Sequence, residues 1–240
     1  MREITANGLT VQVCGGPDGE GGGDGPLVVL LHGYGAPGDD LVPFGRYLGS
    51  RLGEHVRCAF PAAPRELMGG FMPMRMWWPI DGAALEAAIA AGTHRDRSDH
   101  VPPELGEVRE QFRGALLELQ ATLGATPEQT VLGGFSQGSM VSCDALAHGA
   151  PIRALVVLSG TTLALQEWVP GFAQRAGVPV FQSHGTQDPL LSFAHAETLR
   201  DLFTQAGLPV TWVPFAGQHE IPPLVLAQLC EFLRGVFAAG

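Results

Sequence analysis

Lysine is absent from this 240-residue chain, and all 14 of its basic residues are arginine. Chemistry that needs a lysine amine is therefore excluded: Schiff-base formation, attachment of pyridoxal phosphate, and a serine–lysine dyad. Basic residues are also few against 24 acidic ones, which gives a formal net charge of −10. A chain of this charge lacks the positive surface that attracts nucleic acid or an anionic membrane, so neither partner is expected.

Cysteine is scarce, and long hydrophobic runs are missing. The four cysteines are scattered without C-x-x-C spacing, which predicts buried free thiols in a reducing compartment instead of a disulfide framework or a zinc site. No segment approaches 18 apolar residues, and the opening residues 1–13 carry no apolar signal-peptide core. We therefore expect a soluble, cytoplasmic protein with no stable membrane anchor.

What the chain does contain is an alternation of strand and helix patterns. Runs of β-branched residues and leucine predict buried strands at 9–13, 27–31, 56–60, 130–134, 154–159, 178–184 and 209–215. Apolar residues at three- and four-residue spacing predict helices over 39–52, 102–124, 194–207 and 222–237. This alternation predicts an α/β fold with a mostly parallel sheet covered by helices on both faces. No repeat or linker divides the chain, so one domain over residues 1–240 is expected.

One short motif suggests a nucleophile. Residues 134–138 read GFSQG, a match to G-x-S-x-G, but in a chain with 33 glycines such a match alone is close to chance. The context is more specific, because a predicted strand ends just before Ser136 and a helical pattern follows it. This is the strand–turn–helix setting that presents a nucleophilic serine, so Ser136 is the predicted nucleophile.

A serine hydroxyl needs a base, and the base needs an orienting acid. In a serine hydrolase built on an α/β sheet, the expected chain order is serine, acid, histidine. Asp188 follows one predicted strand and His219 follows the last one, so both should reach the sheet edge that carries Ser136. His184 would break the order. The other histidines are expected at the surface or in packing, and two helical aspartates are expected in solvent: His55, His94, His100, His148 and His195, with Asp144 and Asp201.

The same chemistry needs an oxyanion hole, which two backbone N–H groups could form. The N–H of Gln137 lies at a predicted helix N-terminus and supplies one donor. The second is expected from the loop after an early strand, in LVVLLHGYG at 27–35, where the N–H of Tyr34 is the candidate. His32 is expected to hold this loop in place.

Four segments together resemble a known family. They are LHGYGAPGDDL, GGFSQGSM, HGTQDPLL and GQHEIP, and they are similar to the motif blocks of the phospholipase/carboxylesterase family of α/β-hydrolases, which includes the acyl-protein thioesterases. The resemblance runs from about residue 27 to the C-terminus. It implies the triad Ser136, Asp188 and His219, an oxyanion hole from Tyr34 and Gln137, and hydrolysis of carboxylic esters or thioesters without metal or cofactor. It also makes a homodimer plausible. Gln218, before the histidine, stands where the family often has glycine.

The substrate is expected to meet an apolar loop at residues 61–80, which is rich in Pro, Gly and Met. Phe71, Trp77 and Trp78 are predicted to form a pocket wall, although a role in the core would explain the same pattern. Leu163 is predicted to contribute to a short flap over the site. The stretch after residue 160 is too short for a large lid domain. The acidic and basic residues of 93–100 are expected to form a solvated loop, because their spacing matches no metal motif.

These features favour a serine carboxylesterase for short- to medium-chain esters. An acyl-protein thioesterase or lysophospholipase has the same triad, and the sequence does not separate them. A non-catalytic hydrolase-fold sensor is a third hypothesis, but it is expected to lose a triad member. Ser136 excludes a dehalogenase or epoxide hydrolase, because these need an aspartate at the nucleophile position.

Overall fold

The computed structural model describes residues 1–67 and 73–238. Ten strands lie within these ranges: β1 (Arg2–Ala6), β2 (Leu9–Gly15), β3 (Leu27–Leu31), β4 (Arg57–Pro61), β5 (Arg65–Leu67), β6 (Met74–Met76), β7 (Thr130–Phe135), β8 (Ala154–Leu158), β9 (Val180–Gly185) and β10 (Val210–Phe215). The same ranges hold seven α-helices: α1 (Val42–Leu52), α2 (Gly82–Ala90), α3 (Leu105–Leu123), α4 (Gln137–Ala147), α5 (Leu165–Ala173), α6 (Phe193–Gln205) and α7 (Pro223–Ala238).

Eight of the strands form one sheet in the order β1-β2-β4-β3-β7-β8-β9-β10. The pairings of β1 with β2 and of β2 with β4 are antiparallel, and every pairing from β4 to β10 is parallel. The predicted mostly parallel sheet is confirmed. The two remaining strands, β5 and β6, pair with each other as a small antiparallel ribbon.

Helices cover both faces of the large sheet, as predicted. Residues of α3, α4, α5 and α6 join the hydrophobic cluster on one face, and residues of α1 and α7 join the cluster on the other. Strand β8 is buried along its whole length, which explains its uninterrupted apolar sequence ALVVL. All four cysteines are buried and free. Within the described residues, no helix combines the length and apolar character that a membrane crossing requires.

This topology determines where polar groups can gather. Strands β3, β7, β8, β9 and β10 run parallel, so their carboxyl ends meet at one edge of the sheet. The segments after these strands carry the candidate oxyanion loop, nucleophile, acid and base. In open α/β sheets this edge is where ligands bind.

Candidate active site

Ser136 occupies a strained turn between strand β7 and helix α4. Its backbone angles are φ 54° and ψ −119°, a conformation that non-glycine residues rarely adopt. The turn requires two close approaches, since a Cβ at Gly134 would clash with the backbone of Gly138, and one at Gly138 would clash with the carbonyl of Leu31. The five-residue motif therefore forms the sharp turn that it predicted, with the serine side chain at the sheet edge.

The two predicted partners of this serine are in direct contact with each other. His219 Nδ1 lies 2.6 Å from Asp188 Oδ2. The other carboxylate oxygen, Oδ1, accepts backbone hydrogen bonds from Leu190 at 2.8 Å and from Leu191 at 3.0 Å. Asp188 is therefore fixed by its own loop, and it in turn fixes the orientation of the His219 ring.

Asp188 is held in its ionised form by these contacts. Burial on its own would raise the pKa of this carboxyl group, but hydrogen bonds from His184 and His219, the charge of His219 and the Leu191 N–H outweigh it. The net result is a pKa of Asp188 well below the ordinary value of 3.8. An ionised carboxylate at this distance orients the His219 ring by accepting its Nδ1 proton.

The loop that carries His219 is joined to the loop that carries Asp188. Thr186 N–H donates to the carbonyl of Phe215, and Gln187 N–H donates to that of Gly217, each at 2.9 Å. The ring of Phe135, next to Ser136, lies 4.8 Å from the His219 ring, centroid to centroid. His219 is therefore positioned from two sides, by a charge and by an aromatic ring.

His184 also contacts the acid, which the sequence did not predict. Its side chain is fully buried, and its Nε2 lies 3.0 Å from the Leu191 carbonyl and 3.3 Å from Asp188 Oδ2. The Nε2 atom carries the proton, because a carbonyl oxygen can only accept. Asp188 Oδ2 is thus shared by two imidazoles, of which only His219 reaches the cavity.

A cavity of about 140 Å³ opens at this edge of the sheet. It is lined by residues from six segments of the chain: Gly33, Tyr34, Trp78, Ile80, Leu85, Arg97, Phe135, Ser136, Gln137, Met140, Leu190, Leu191 and His219. Ser136, His219, Tyr34 and Gln137 thus share one apolar cavity, with Asp188 directly behind His219. Neither the Tyr34 nor the Gln137 N–H donates to a backbone acceptor within the described residues.

His32 supports this site without lining the cavity. It is buried, and its Nε2 accepts the Ala63 N–H at 2.8 Å, so its Nδ1 carries the proton and donates to the Gly33 carbonyl at 2.8 Å. Burial lowers the pKa of His32, although the bond to Gly33 opposes this effect. The neutral ring therefore joins the loop before Tyr34 to the segment just after strand β4, which is the supporting role expected of it.

The residues predicted to bind substrate fall into three groups. Trp78 lines the cavity. Trp77 and Leu163 are fully buried in the hydrophobic core instead, where the Trp77 indole N–H donates to the His32 carbonyl at 3.0 Å and its ring packs edge-on against Phe112. Phe71 lies outside the described residues. Leu163 forms no flap, because the segment that carries it packs beneath the surface.

Asp144 was expected in solvent, and this was wrong. It is 1% exposed, and both of its carboxylate oxygens accept hydrogen bonds from Arg109, at 2.7 and 2.9 Å. With His148 and Glu167 it forms the one cluster of potential metal ligands found among the described residues. The Arg109 guanidinium also bonds Glu167 at 2.5 Å, so these carboxylates already have a cationic partner. The cluster is a structural ion-pair network of helices α3, α4 and α5.

Comparisons with known proteins give the family and the relatives of this chain. Residues 22–237 match the phospholipase/carboxylesterase family. Acyl-protein thioesterase 1 of Candida albicans is 27% identical over 221 residues, which span 87% of this chain and 91% of that protein. The protein of the same name from Gibberella zeae is 26% identical over 187 residues, spanning 75% and 77%.

Solved structures show the same fold. Esterase PE8 superposes with a TM-score of 0.80 at 26% identity, covering 95% of this chain and 99% of that one. A Bacillus cereus carboxylesterase has a TM-score of 0.67 at 19% identity, covering 95% of each chain. The resemblance read from the four sequence motifs is thereby confirmed: this chain is a member of the phospholipase/carboxylesterase family of α/β-hydrolases.

Proposed function

We propose that this chain is a serine carboxylesterase that hydrolyses short- to medium-chain carboxylic esters through an acyl-enzyme. The observation that carries the proposal is the 2.6 Å contact between His219 and Asp188, beside a cavity that His219 and Ser136 line together. A nucleophile on a strained turn, a base and an oriented acid are the three parts that acyl transfer needs.

In each half of the proposed reaction, the imidazole of His219 takes up one proton and then gives it away. Nε2 of His219 takes the Ser136 proton as Oγ attacks the ester carbonyl, and His219 then gives this proton to the leaving alcohol. Asp188 stays ionised and stabilises the imidazolium without accepting the proton. Water then attacks the acyl carbonyl and gives a proton to His219, which passes this proton to Ser136 Oγ as the acyl–Oγ bond breaks and the acid leaves. These steps use side chains alone and require no metal or cofactor.

The charge that develops on the carbonyl oxygen would be stabilised by the N–H groups of Gln137 and Tyr34. Gln137 begins helix α4, so its N–H has no acceptor within the helix and is part of the partial positive charge at the helix N-terminus. Both residues line the cavity beside Ser136. Donors that are fixed before the reaction stabilise the oxyanion without having to reorganise, which is commonly the largest contribution in such sites.

The size of the cavity supports the proposed chain length. Its volume of about 140 Å³ is below the range of roughly 300–1,000 Å³ that is usual for sites enclosing drug-sized ligands. Its walls are mainly apolar, from Trp78, Ile80, Leu85 and Met140. A short acyl chain would be enclosed by such a cavity, whereas a long one would extend out of it.

A thioesterase activity is the second candidate, and the relatives favour it. Two fungal proteins similar to this chain over most of its length bear the name acyl-protein thioesterase 1. The same triad cleaves oxygen esters and thioesters, so the two candidate activities differ only in which ester is hydrolysed faster. We expect higher kcat/KM for butyryl and hexanoyl oxygen esters than for a palmitoyl thioester.

The experiment compares hydrolysis of p-nitrophenyl butyrate by wild type, Ser136→Ala and His219→Ala. Each variant should lose turnover by about 10⁴-fold or more, as triad deletions do. Ser50→Ala and His55→Ala are matched controls, because both residues are exposed and far from the cavity. Near-normal turnover by Ser136→Ala would remove the proposal. A higher kcat/KM for the palmitoyl thioester than for the butyryl and hexanoyl esters would favour the second candidate.

A further inference from the structure

Arg97 brings a positive charge to the cavity that holds the proposed nucleophile and base. The loop at residues 93–100 was expected to be solvated, but Arg97 lines the same cavity as Ser136 and His219. No step of the proposed hydrolysis uses this guanidinium. The same lining includes the apolar side chains of Ile80 and Leu85.

The loop around Arg97 is fixed in place by hydrogen bonds on both sides. After it, the Ser98 and His100 carbonyls accept the N–H groups of Leu165 and Ala164, at 2.8 and 3.1 Å. Before it, His94 Nε2 donates to the backbone carbonyl of Asp188 at 2.8 Å. The chain segment that presents Arg97 is therefore attached to the catalytic acid and to the segment before helix α5.

The Arg97 charge has no counter-ion among the described residues. None of the cavity-lining residues is acidic, and no aspartate or glutamate contributes to the electrostatics of this guanidinium. Residues 68–72, MGGFM, carry no charged side chain either. Burial, and then the charge of Arg95, lower the pKa of Arg97, which still keeps its proton at neutral pH. A half-buried cation without a partner costs free energy, and this cost is recovered when an anion binds.

The position of this charge is unusual for the chain as a whole. The formal net charge is −10, so the overall field of the protein repels anions. An anionic ligand would need a local positive group inside the cleft to overcome that field. A planar guanidinium is suited to this, because it binds a carboxylate or a phosphate through two parallel hydrogen bonds.

We propose that Arg97 selects esters that carry an anionic group, a carboxylate or a phosphate, within reach of the scissile bond. The inference rests on the proposed esterase function and names the substrate class of the same site. The apolar walls would hold the hydrocarbon part of such a substrate, while Arg97 would bind its charged end.

Two matched pairs of esters test this selection. p-Nitrophenyl hexanoate and the p-nitrophenyl monoester of adipic acid differ by a terminal carboxylate. 1-Hexanoylglycerol and 1-hexanoylglycerol 3-phosphate differ by a phosphate. Within each pair, the ratio of kcat/KM for the anionic member to that for the neutral member measures the preference, and the pair that responds distinguishes a carboxylate from a phosphate.

Arg97→Gln should lower this ratio by about ten- to hundredfold, the size expected for losing a hydrogen bond to a charged group. The ratio for Arg97→Lys should lie between those for wild type and Arg97→Gln, because lysine keeps the charge without the planar fork. Arg95→Gln is the matched control, since Arg95 lies in the same loop, donates to the Asp81 carbonyl and does not line the cavity. It should lower the ratio far less than Arg97→Gln does, because its charge acts on the cavity only from outside.

Wild-type preference for an anionic member, lost in Arg97→Gln and kept in Arg95→Gln, would support the inference. The inference would be overturned if wild type preferred the neutral member in both pairs. It would also be overturned if Arg97→Gln lowered kcat/KM equally for the anionic and the neutral member. Hydrolysis of neutral esters without this discrimination removes the inference and leaves the proposed function standing. Failure to cleave any of the four esters removes both.

Discussion

The Gln137 side chain donates from Nε2 to the carbonyl oxygen of Trp78 over 2.8 Å. The Oε1 atom of Gln137 accepts the backbone N–H of Trp77 at 2.9 Å. Gln137 is 1% exposed, so it joins the first turn of helix α4 to the cavity wall in a place that water does not reach. One residue therefore offers its backbone N–H to the proposed oxyanion hole and holds Trp78 with its side chain.

We expect Gln137→Ala to lower the free energy of unfolding by about 2–4 kcal/mol. The substitution leaves a buried N–H and a buried carbonyl without partners, and each costs about 1–3 kcal/mol. Denaturant unfolding measures this loss. Gln129→Ala is the control, because Gln129 also makes two side-chain bonds to backbone, at Thr126 and Asp24, but in exposed surroundings. Equal losses in the two variants would contradict the account of Gln137.

Arg109→Ala should destabilise the fold by about 3–5 kcal/mol. The buried carboxylate of Asp144 would lose its charged partner, and the Trp168 indole N–H at 3.0 Å would not replace it. Arg113→Ala is the control, because Arg113 lies one turn further along helix α3 and is exposed. It should change the free energy of unfolding by less than about 1 kcal/mol. A small effect of Arg109→Ala in thermal or denaturant unfolding would show that the ion-pair network is not structural.

The stability that Asp188 contributes should disappear in acid. Its pKa in the folded state lies below the ordinary value, so the unfolded chain binds a proton at this group before the folded chain does. The contribution is complete above pH of about 4 and declines as the pH falls toward the lowered pKa. We expect the stability advantage of wild type over Asp188→Asn to shrink from pH 5 to pH 3. A stability advantage that grows from pH 5 to pH 3 would contradict a lowered pKa of Asp188 in the folded state.

The parts of the site that the sequence predicted depend on local signals. Strand periodicity and the glycines around Ser136 can be read within short windows, and the order of serine, acid and histidine follows from which predicted strand each residue comes after. The parallel strands then place these groups at one edge, because the carboxyl ends of such strands meet there. For that reason the fold and the sheet edge were predictable without any knowledge of tertiary contacts.

The other features depend on contacts between distant segments. Trp77 and Trp78 are adjacent and similar, and contacts with distant residues distinguish them: Trp77 is held in the core by His32 and Phe112, and Gln137 bonds the backbone of both. Asp144 is buried because Arg109 approaches it from another helix. Arg97 reaches the cavity because its loop is bonded to Ala164 and Leu165. Single-sequence patterns carry no information on such pairs.

Two helices were missed for local reasons. Helix α2, GAALEAAIA, has no buried residue and little difference between its faces, so it gives no amphipathic signal, and its start is fixed by the Asp81 side chain accepting the Ala84 N–H at 2.9 Å. Helix α5 contains Pro170 and follows Ala164 in a left-handed conformation, so its sequence resembles a loop.

The most direct test of the central claim identifies the residue that carries the acyl group. A fluorophosphonate inhibitor should inactivate the enzyme with one adduct per chain, and peptide mass spectrometry should place the adduct on Ser136. Pre-incubation with p-nitrophenyl butyrate should slow this labelling. An unlabelled Ser136 in a folded protein, or an adduct on a different serine, would contradict the account.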